Sequence, residues 1–151
     1  MASGDNKGAE ITSCNCTVLR RASRLVSQFY DQQLAPAGVR VTQFAILRVL
    51  AGSNGYSINE LADRLNLDRT TADKNLQPLE KARLVRIVGA DNDARARQIT
   101  LTASGAEKLR LATTLWRTAQ SEFERANGPK NSAKLRQALQ EIQIPQQPLS
   151  G

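Results

Sequence analysis

Residues 58–105 read INELADRLNLDRTTADKNLQPLEKARLVRIVGADNDARARQITLTASG. Two short apolar-periodic segments lie on either side of a tight Asn66-Leu67-Asp68 turn. In the first, Ile58, Leu61, Ala62 and Leu65 recur at threes and fours, the spacing of one helix face. In the second, Ala72, Leu76 and Leu79 make the inner stripe, while Thr70, Asp73, Lys74 and Gln77 fall on the other side. Asp68 is a strong N-cap, because its carboxylate can accept a backbone N–H that the first helical turn leaves without a partner. Pro78 sits inside the second segment and removes the hydrogen bond to the Lys74 carbonyl, so a bend is expected there. The apolar spacing runs through it, and one helix is predicted. Two β-prone runs follow, 84–88 and 98–101, joined by a loop that alternates Asp91 and Asp93 with Arg95 and Arg97. Helix, tight turn, helix and hairpin in that order describe a winged helix-turn-helix, whose second helix enters a DNA major groove with the hairpin beside it.

Outward from this stretch the pattern is helical. From about Cys16, Leu19, Ala22, Val26 and Phe29 recur at helical spacing, with Val18 and Leu25 widening the stripe, until Pro36 and Gly38 break it. In VTQFAILRVLAGS, Thr42 can cap a helix whose Phe44, Leu47, Val49 and Leu50 are apolar on most sides, so this helix should be well buried. On the other flank Thr102 can cap a long helix carrying Leu109, Leu111, Leu115, Trp116, Ala119 and Phe123. Gly128 and Pro129 interrupt it, and a last helix holds Leu135, Leu139 and Ile142. The expected fold class is mainly α (α+β), a single domain over 1–151. A winged helix-turn-helix at 56–101 lies between helices at 14–52 and 102–144, with a flexible N-terminus at about 1–13 and a tail at 145–151. The terminal helices need a partner for their apolar faces, and a second copy of the chain is the obvious one. They are therefore expected to be dimerisation helices.

Composition agrees with a basic, histidine-free binding protein. A chain of 151 residues, 40% hydrophobic, is long enough for one real core. The net charge of +7, doubled in a dimer, suits a polyanionic partner such as nucleic acid. There is no histidine, which removes Ser-His-Asp triads, Cys-His pairs and imidazole metal sites. No glycine-rich phosphate loop and no paired-carboxylate site is visible, so no enzyme activity, cofactor or metal is expected. No window reaches the roughly 18 apolar residues of a membrane span, and the polar N-terminus has no signal-peptide core. A cytoplasmic location without a membrane partner is expected, where Cys14 and Cys16 would stay reduced.

From about Cys16 to Ala126 the chain resembles the MarR family of bacterial transcription regulators. Asp93 and Arg95 match the family's Asp-x-Arg wing signature, and Leu101, Thr102 and Gly105 match the run that opens its long helix. The resemblance implies a sequence-specific, double-stranded DNA-binding regulator: a homodimeric repressor with interlocked terminal helices. Its two winged modules would sit about one helical turn apart on a pseudo-palindromic operator. One position departs. Where the family commonly has a glycine in a left-handed conformation after the second helix, this chain has Arg83, which costs on the order of 1 kcal/mol if the conformation is kept.

On that reading the wing loop has a purpose. Arg95 can enter a narrow minor groove, Asp93 can pre-orient its guanidinium, Arg97 can meet a phosphate and Asp91 can shape the turn. Asp68, Arg69 and Thr70 stand at a helix N-terminus, which favours a phosphate, and Thr71 stands at the edge of that face. Lys74 can reach guanine and Gln77 adenine. Asp73 can accept from a cytosine amine or pair with Arg69 four residues before it. Arg86 on the first strand is a further candidate. Each of these also has a plainer reading as part of a solvated polar face.

The resemblance implies a sensor too, released by a small aromatic effector or by cysteine oxidation. Phe29, Tyr30, Phe44, Leu47 and Trp116 are candidate pocket walls, though each also reads as core. Cys14 and Cys16 point apart on a helix, which disfavours a bridge within one chain; if extended, two chains could offer four sulfurs to a metal. Arg20 and Arg21 could lower a thiol pKa, and the alternative is two inert thiols. A different class remains open: a winged-helix protein–protein interaction adaptor without specific DNA binding.

Overall fold

The computed structural model describes residues 11–89 and 97–145. Asp91, Asp93 and Arg95, most of the N-terminal segment and most of the tail therefore lie outside the described residues. The elements run α1 (Asn15–Leu34), α2 (Val41–Ala51), α3 (Ile58–Leu65), α4 (Arg69–Lys81), β1 (Val85–Val88), β2 (Gln98–Leu101), α5 (Ala103–Asn127) and α6 (Pro129–Gln140). This is a mainly α winged helix-turn-helix flanked by N- and C-terminal helices. The chain divides into two compact units, one ending at Trp116 and the other beginning at Arg117.

In the first unit the core is built from residues that the periodicity singled out. Leu61, Ala62, Ala72, Leu76 and Leu79 are buried, and they join Phe44, Ile46, Leu47 and Leu50 of α2 and Val85 and Ile99 of the strands. In the second unit Ala119 and Ser132 are buried, and Arg136 Nη1 meets Glu124 Oε1 at 2.9 Å. Leu111, one of the apolar positions of the long helix, is 45% exposed, and the neighbouring Ala112 is buried. Size misleads here, because a methyl fits the tightly packed side of the helix and a leucine is left on the next position.

Local chemistry sets the ends of α3 and α4. Ser57 Oγ accepts from the Glu60 N–H at 3.2 Å, and Glu60 Oε2 accepts from the Ser57 N–H at 2.8 Å, a reciprocal cap that starts α3. α3 stops at left-handed Asn66 (φ 52), where the Leu67 N–H donates to the Ala62 carbonyl at 2.9 Å. α4 starts at Asp68 and runs unbroken through Pro78, which lies on the exposed side. It stops at Arg83, which does adopt the left-handed conformation (φ 61) in place of a glycine. The Arg83 and Leu84 N–H groups donate to the Glu80 and Leu79 carbonyls, both at 2.9 Å, so the turn keeps the geometry a glycine would give it.

α2 is capped differently from the expectation. Thr42 lies inside the helix, and its hydroxyl donates to Asn75 Oδ1 of α4 at 3.0 Å. Asp31 Oδ1 of α1 accepts from the Val41 N–H at 2.8 Å, and Gln43 Oε1 accepts from the Arg40 N–H at 2.9 Å. The cap thus comes from a residue ten positions away.

The strands pair antiparallel, Val85 with Leu101 and Ile87 with Ile99. Val85 and Ile99 are buried, while Arg86 and Val88 are exposed on the other face. Tyr56 adds a bridge to Ile99, with N–H to carbonyl distances of 3.1 and 2.8 Å, and so pins the α2–α3 loop to the wing. Thr102 closes the module, as expected of a cap. Its Oγ accepts from the Gly105 N–H at 3.0 Å and donates toward the carbonyls of Arg83 (2.7 Å) and Leu84 (3.1 Å), and its N–H donates to the Leu84 carbonyl at 3.1 Å. A Cβ on Gly105 would stand 2.0 Å from the Leu84 oxygen, so only glycine lets α5 approach the end of α4 this closely.

Large apolar side chains remain uncovered in each unit: Val18, Leu19 and Leu25 on α1, and Leu135 and Leu139 on α6 with Ile142 just beyond. No single helix among the described residues is long and apolar enough to cross a membrane.

Candidate nucleic-acid interface

α4 presents Arg69, Thr70, Asp73, Lys74 and Gln77 to solvent, while Thr71 is half-buried. The helix start is held by an internal pair. Asp68 Oδ1 accepts from the Thr71 N–H at 2.8 Å and Asp68 Oδ2 from the Thr71 hydroxyl at 2.6 Å. That hydroxyl, followed by the N–H, holds the Asp68 carboxyl below its ordinary range. Asp68 and Thr71 thus satisfy one another and shape the first turn, leaving Arg69 and Thr70 as its outward groups.

Further along the helix, Gln77 Nε2 donates to Asp73 Oδ2 at 2.9 Å. Asp73 takes the residue four positions ahead rather than Arg69 four positions behind. Asn75, on the half-buried side, donates to the Thr71 carbonyl at 2.9 Å and accepts from Thr42, which ties α4 to α2.

The wing completes one side of this face. A groove of about 290 Å³ lies between α4 and the strands, lined by Arg69, Thr70 and Asp73 above and by Ile58, Leu76, Ile87 and Ile99 below, with Arg97 at the wing. Two cationic side chains from different elements therefore share one concavity with the start of α4. Arg86 does not join them. It is directly opposite Thr100 in the ladder, one residue out of phase with Ile87, and so lies on the other face of the sheet. Arg64, which does not line the groove, has its guanidinium 4.3 Å from the centre of the Tyr56 ring. Arg64 also stands in the last turn of α3, where a basic side chain favours the negative helix end.

The proposed effector walls are packed rather than hollow. Phe29 and Tyr30 meet edge to face with centroids 5.5 Å apart, and Phe44 stacks on Trp116 at 5.8 Å. Phe44 and Leu47 are fully within the core, and Arg48 covers Trp116 at 4.6 Å. The two cysteines are exposed and unbridged. Cys14 occupies the N-cap of α1 in an extended conformation (φ −75, ψ 112), and Cys16 lies in the first turn. The Thr17 hydroxyl and then the Thr17 N–H hold the Cys14 thiol below its ordinary range. That influence comes from the helix start, not from Arg20 and Arg21.

Known proteins share this fold. Residues 37–96 match the profile of the MarR family. The chain is 36% identical to the M. tuberculosis transcriptional regulator MosR, over 86% of this chain and 98% of that one, with a TM-score of 0.69. MosR in complex with DNA gives the same identity and TM-score over 87% and 100% of the two chains. A transcriptional repressor, CouR, bound to a 23-mer DNA duplex is 25% identical, over 86% and 92%, with a TM-score of 0.75. No curated protein matches by sequence.

Proposed function

We propose, from the premise that this chain belongs to the MarR family of transcription regulators, that it is a homodimeric repressor of a pseudo-palindromic double-stranded operator. It acts in the cytoplasm and releases the operator when a small aromatic effector binds or a cysteine is oxidised. The observation that carries the reading is the shared groove: Arg69 and Thr70 of α4 and Arg97 of the wing converge beside a helix whose Lys74 and Gln77 stay exposed. Phosphate contacts from the arginines would set the register, and Lys74 and Gln77 would read base edges. MosR and CouR, which share the fold, are described in complex with DNA, and that supports the partner.

The uncovered leucines of α1 and α6 support a dimer, because apolar faces of this kind favour burial against a second copy. Of the two release routes, oxidation has the more specific support, an exposed Cys14 thiol held low by Thr17. The aromatic route has five residues of which Phe44 and Leu47 already belong to the core and Trp116 packs against it.

The test is duplex binding by fluorescence anisotropy at two salt concentrations. It uses DNA from upstream of the chain's own gene and a random-sequence library, with reduced and peroxide-treated protein. Tight binding that falls steeply with salt, and that oxidation weakens in the wild type but not in Cys14→Ser, is the expected result. Leu139→Asp should dissociate the dimer in sedimentation and lose operator affinity. Undetectable duplex binding at low salt, by reduced protein, would replace the repressor by the interaction-adaptor reading.

A further inference from the structure

We infer that Asp73 is a base-reading residue, one that selects cytosine in each half of the operator and penalises every other base at that step. The inference rests on the DNA-binding reading above and concerns which sequence is read. An acidic side chain on the face of a helix that meets a polyanion needs an account, since phosphates repel it at every site, specific or not. Asp73 is exposed, lines the groove between α4 and the wing with Arg69 and Arg97, and stands beside Lys74 on the outward side.

Its hydrogen bond to Gln77 makes the account specific. A carboxylate can only accept, so the amide nitrogen of Gln77 must face it, as the 2.9 Å contact from Nε2 to Oδ2 requires. This fixes the polarity of the Gln77 amide and leaves its Oε1 directed elsewhere. The pair then offers the carboxylate's remaining lone pairs and the amide oxygen, a surface dominated by acceptors. In the major groove only cytosine N4 and adenine N6 are exocyclic amine donors, whereas guanine O6 and N7 and thymine O4 are acceptors. Guanine or thymine opposite Asp73 would set acceptor against acceptor. Cytosine gives the carboxylate a donor without a competing acceptor, and adenine adds its N7 acceptor beside N6. The oriented Gln77 amide, with an oxygen and a nitrogen to offer, fits adenine at its own step. Repulsion from the backbone weakens binding everywhere, while the cytosine contact restores it at one place. That combination raises the ratio of specific to non-specific affinity.

The experiment is selection from a random duplex library by the full-length wild type, Asp73→Ala and Asp73→Asn, with the selected positions sequenced and random-duplex affinity measured in parallel. Wild type should prefer cytosine at one position per half-site by roughly tenfold or more. Asp73→Ala should flatten that position alone and bind random duplex several-fold more tightly. Asp73→Asn should shift the preference there toward adenine. If all three proteins select the same base at every position, whatever their affinities, Asp73 reads nothing and the inference is overturned while operator binding stands. A wild type without a cytosine preference on either half-site overturns it too. A wild type that binds no duplex at all removes the DNA-binding reading and this inference with it.

Discussion

Replacing Gly105 by alanine sets two known effects against each other, and the structure says which wins. Alanine in an exposed helical position is favoured over glycine by about 1 kcal/mol. At Gly105 the added Cβ would lie 2.0 Å from the Leu84 oxygen, 2.7 Å from Leu101 Cδ1 and 2.9 Å from the Leu84 carbonyl carbon. Ordinary contact begins near 3.4 Å, so the Leu84 carbonyl would have to retreat by about 1.4 Å, the difference of 3.4 and 2.0. The Leu101 methyl can rotate away, but the carbonyl belongs to the backbone and accepts from both the Thr102 N–H and hydroxyl. Overpacking of this kind costs about 1–3 kcal/mol, and loosening two hydrogen bonds about 1 kcal/mol each. Net of the helix preference, Gly105→Ala should destabilise by about 2–4 kcal/mol. The assay is urea unfolding at equal protein concentration, since a dimer's stability depends on it. Ser104→Ala, at an exposed neighbouring position, is the control and should stay within about 0.5 kcal/mol. A Gly105→Ala protein as stable as wild type, or more so, would refute the close-approach argument.

Other outcomes follow from the interface and the helix caps. Arg97→Ala should weaken operator binding and reduce the slope of log affinity against log salt by about one, whereas Arg86→Ala, on the far sheet face, should leave both nearly unchanged in the same titration. Because the Asp68 carboxyl is held low in the folded chain, the folded state binds fewer protons than the unfolded one between the two pKa values. The stability it contributes is fully present above the ordinary aspartate range of the unfolded chain and is lost as pH falls through the lower folded value. Asp68→Ala should therefore differ from wild type at neutral pH and converge with it in acid unfolding curves. In a Cys16→Ser background, iodoacetamide at neutral pH should alkylate Cys14 faster than it does after Thr17→Val, because the Thr17 hydroxyl is the largest influence lowering that thiol.

Which parts were legible in the sequence depended on how local their causes are. Asp68 and Thr102 were read as caps because their partners lie within three residues; Ser57 with Glu60 is a pair of the same kind that the sequence reading passed over. The α4 stripe of Ala72, Leu76 and Leu79 and the path through Pro78 came from periodicity alone. Thr42 was misread as a cap because the true acceptor, Asp31, belongs to another helix, and only packing brings it to Val41. Arg86 could have been assigned to the outer face by simple alternation with Val85 and Ile87, had the strand period been applied to charges as well as to apolar residues. The left-handed turn at Arg83 was flagged by the glycine it replaces, but its outcome was not readable, since the hydrogen bonds that hold it come from the fold around it. The wing-tip residues Asp93 and Arg95 rest on sequence alone.

Thr102 gives the molecule a mechanical property as well as a helix start. Five hydrogen bonds meet at this one residue, and they join the turn that ends α4, the root of both strands and the first turn of α5. A corner so tied cannot fold like a knee. A push delivered along residues 103–116 would reach α4 and the strands through this one corner, as a spanner turns both of its jaws. On the DNA-binding reading proposed above, fit to a duplex then depends on the angle at this corner, and a small rotation there would carry α4 and the wing along together.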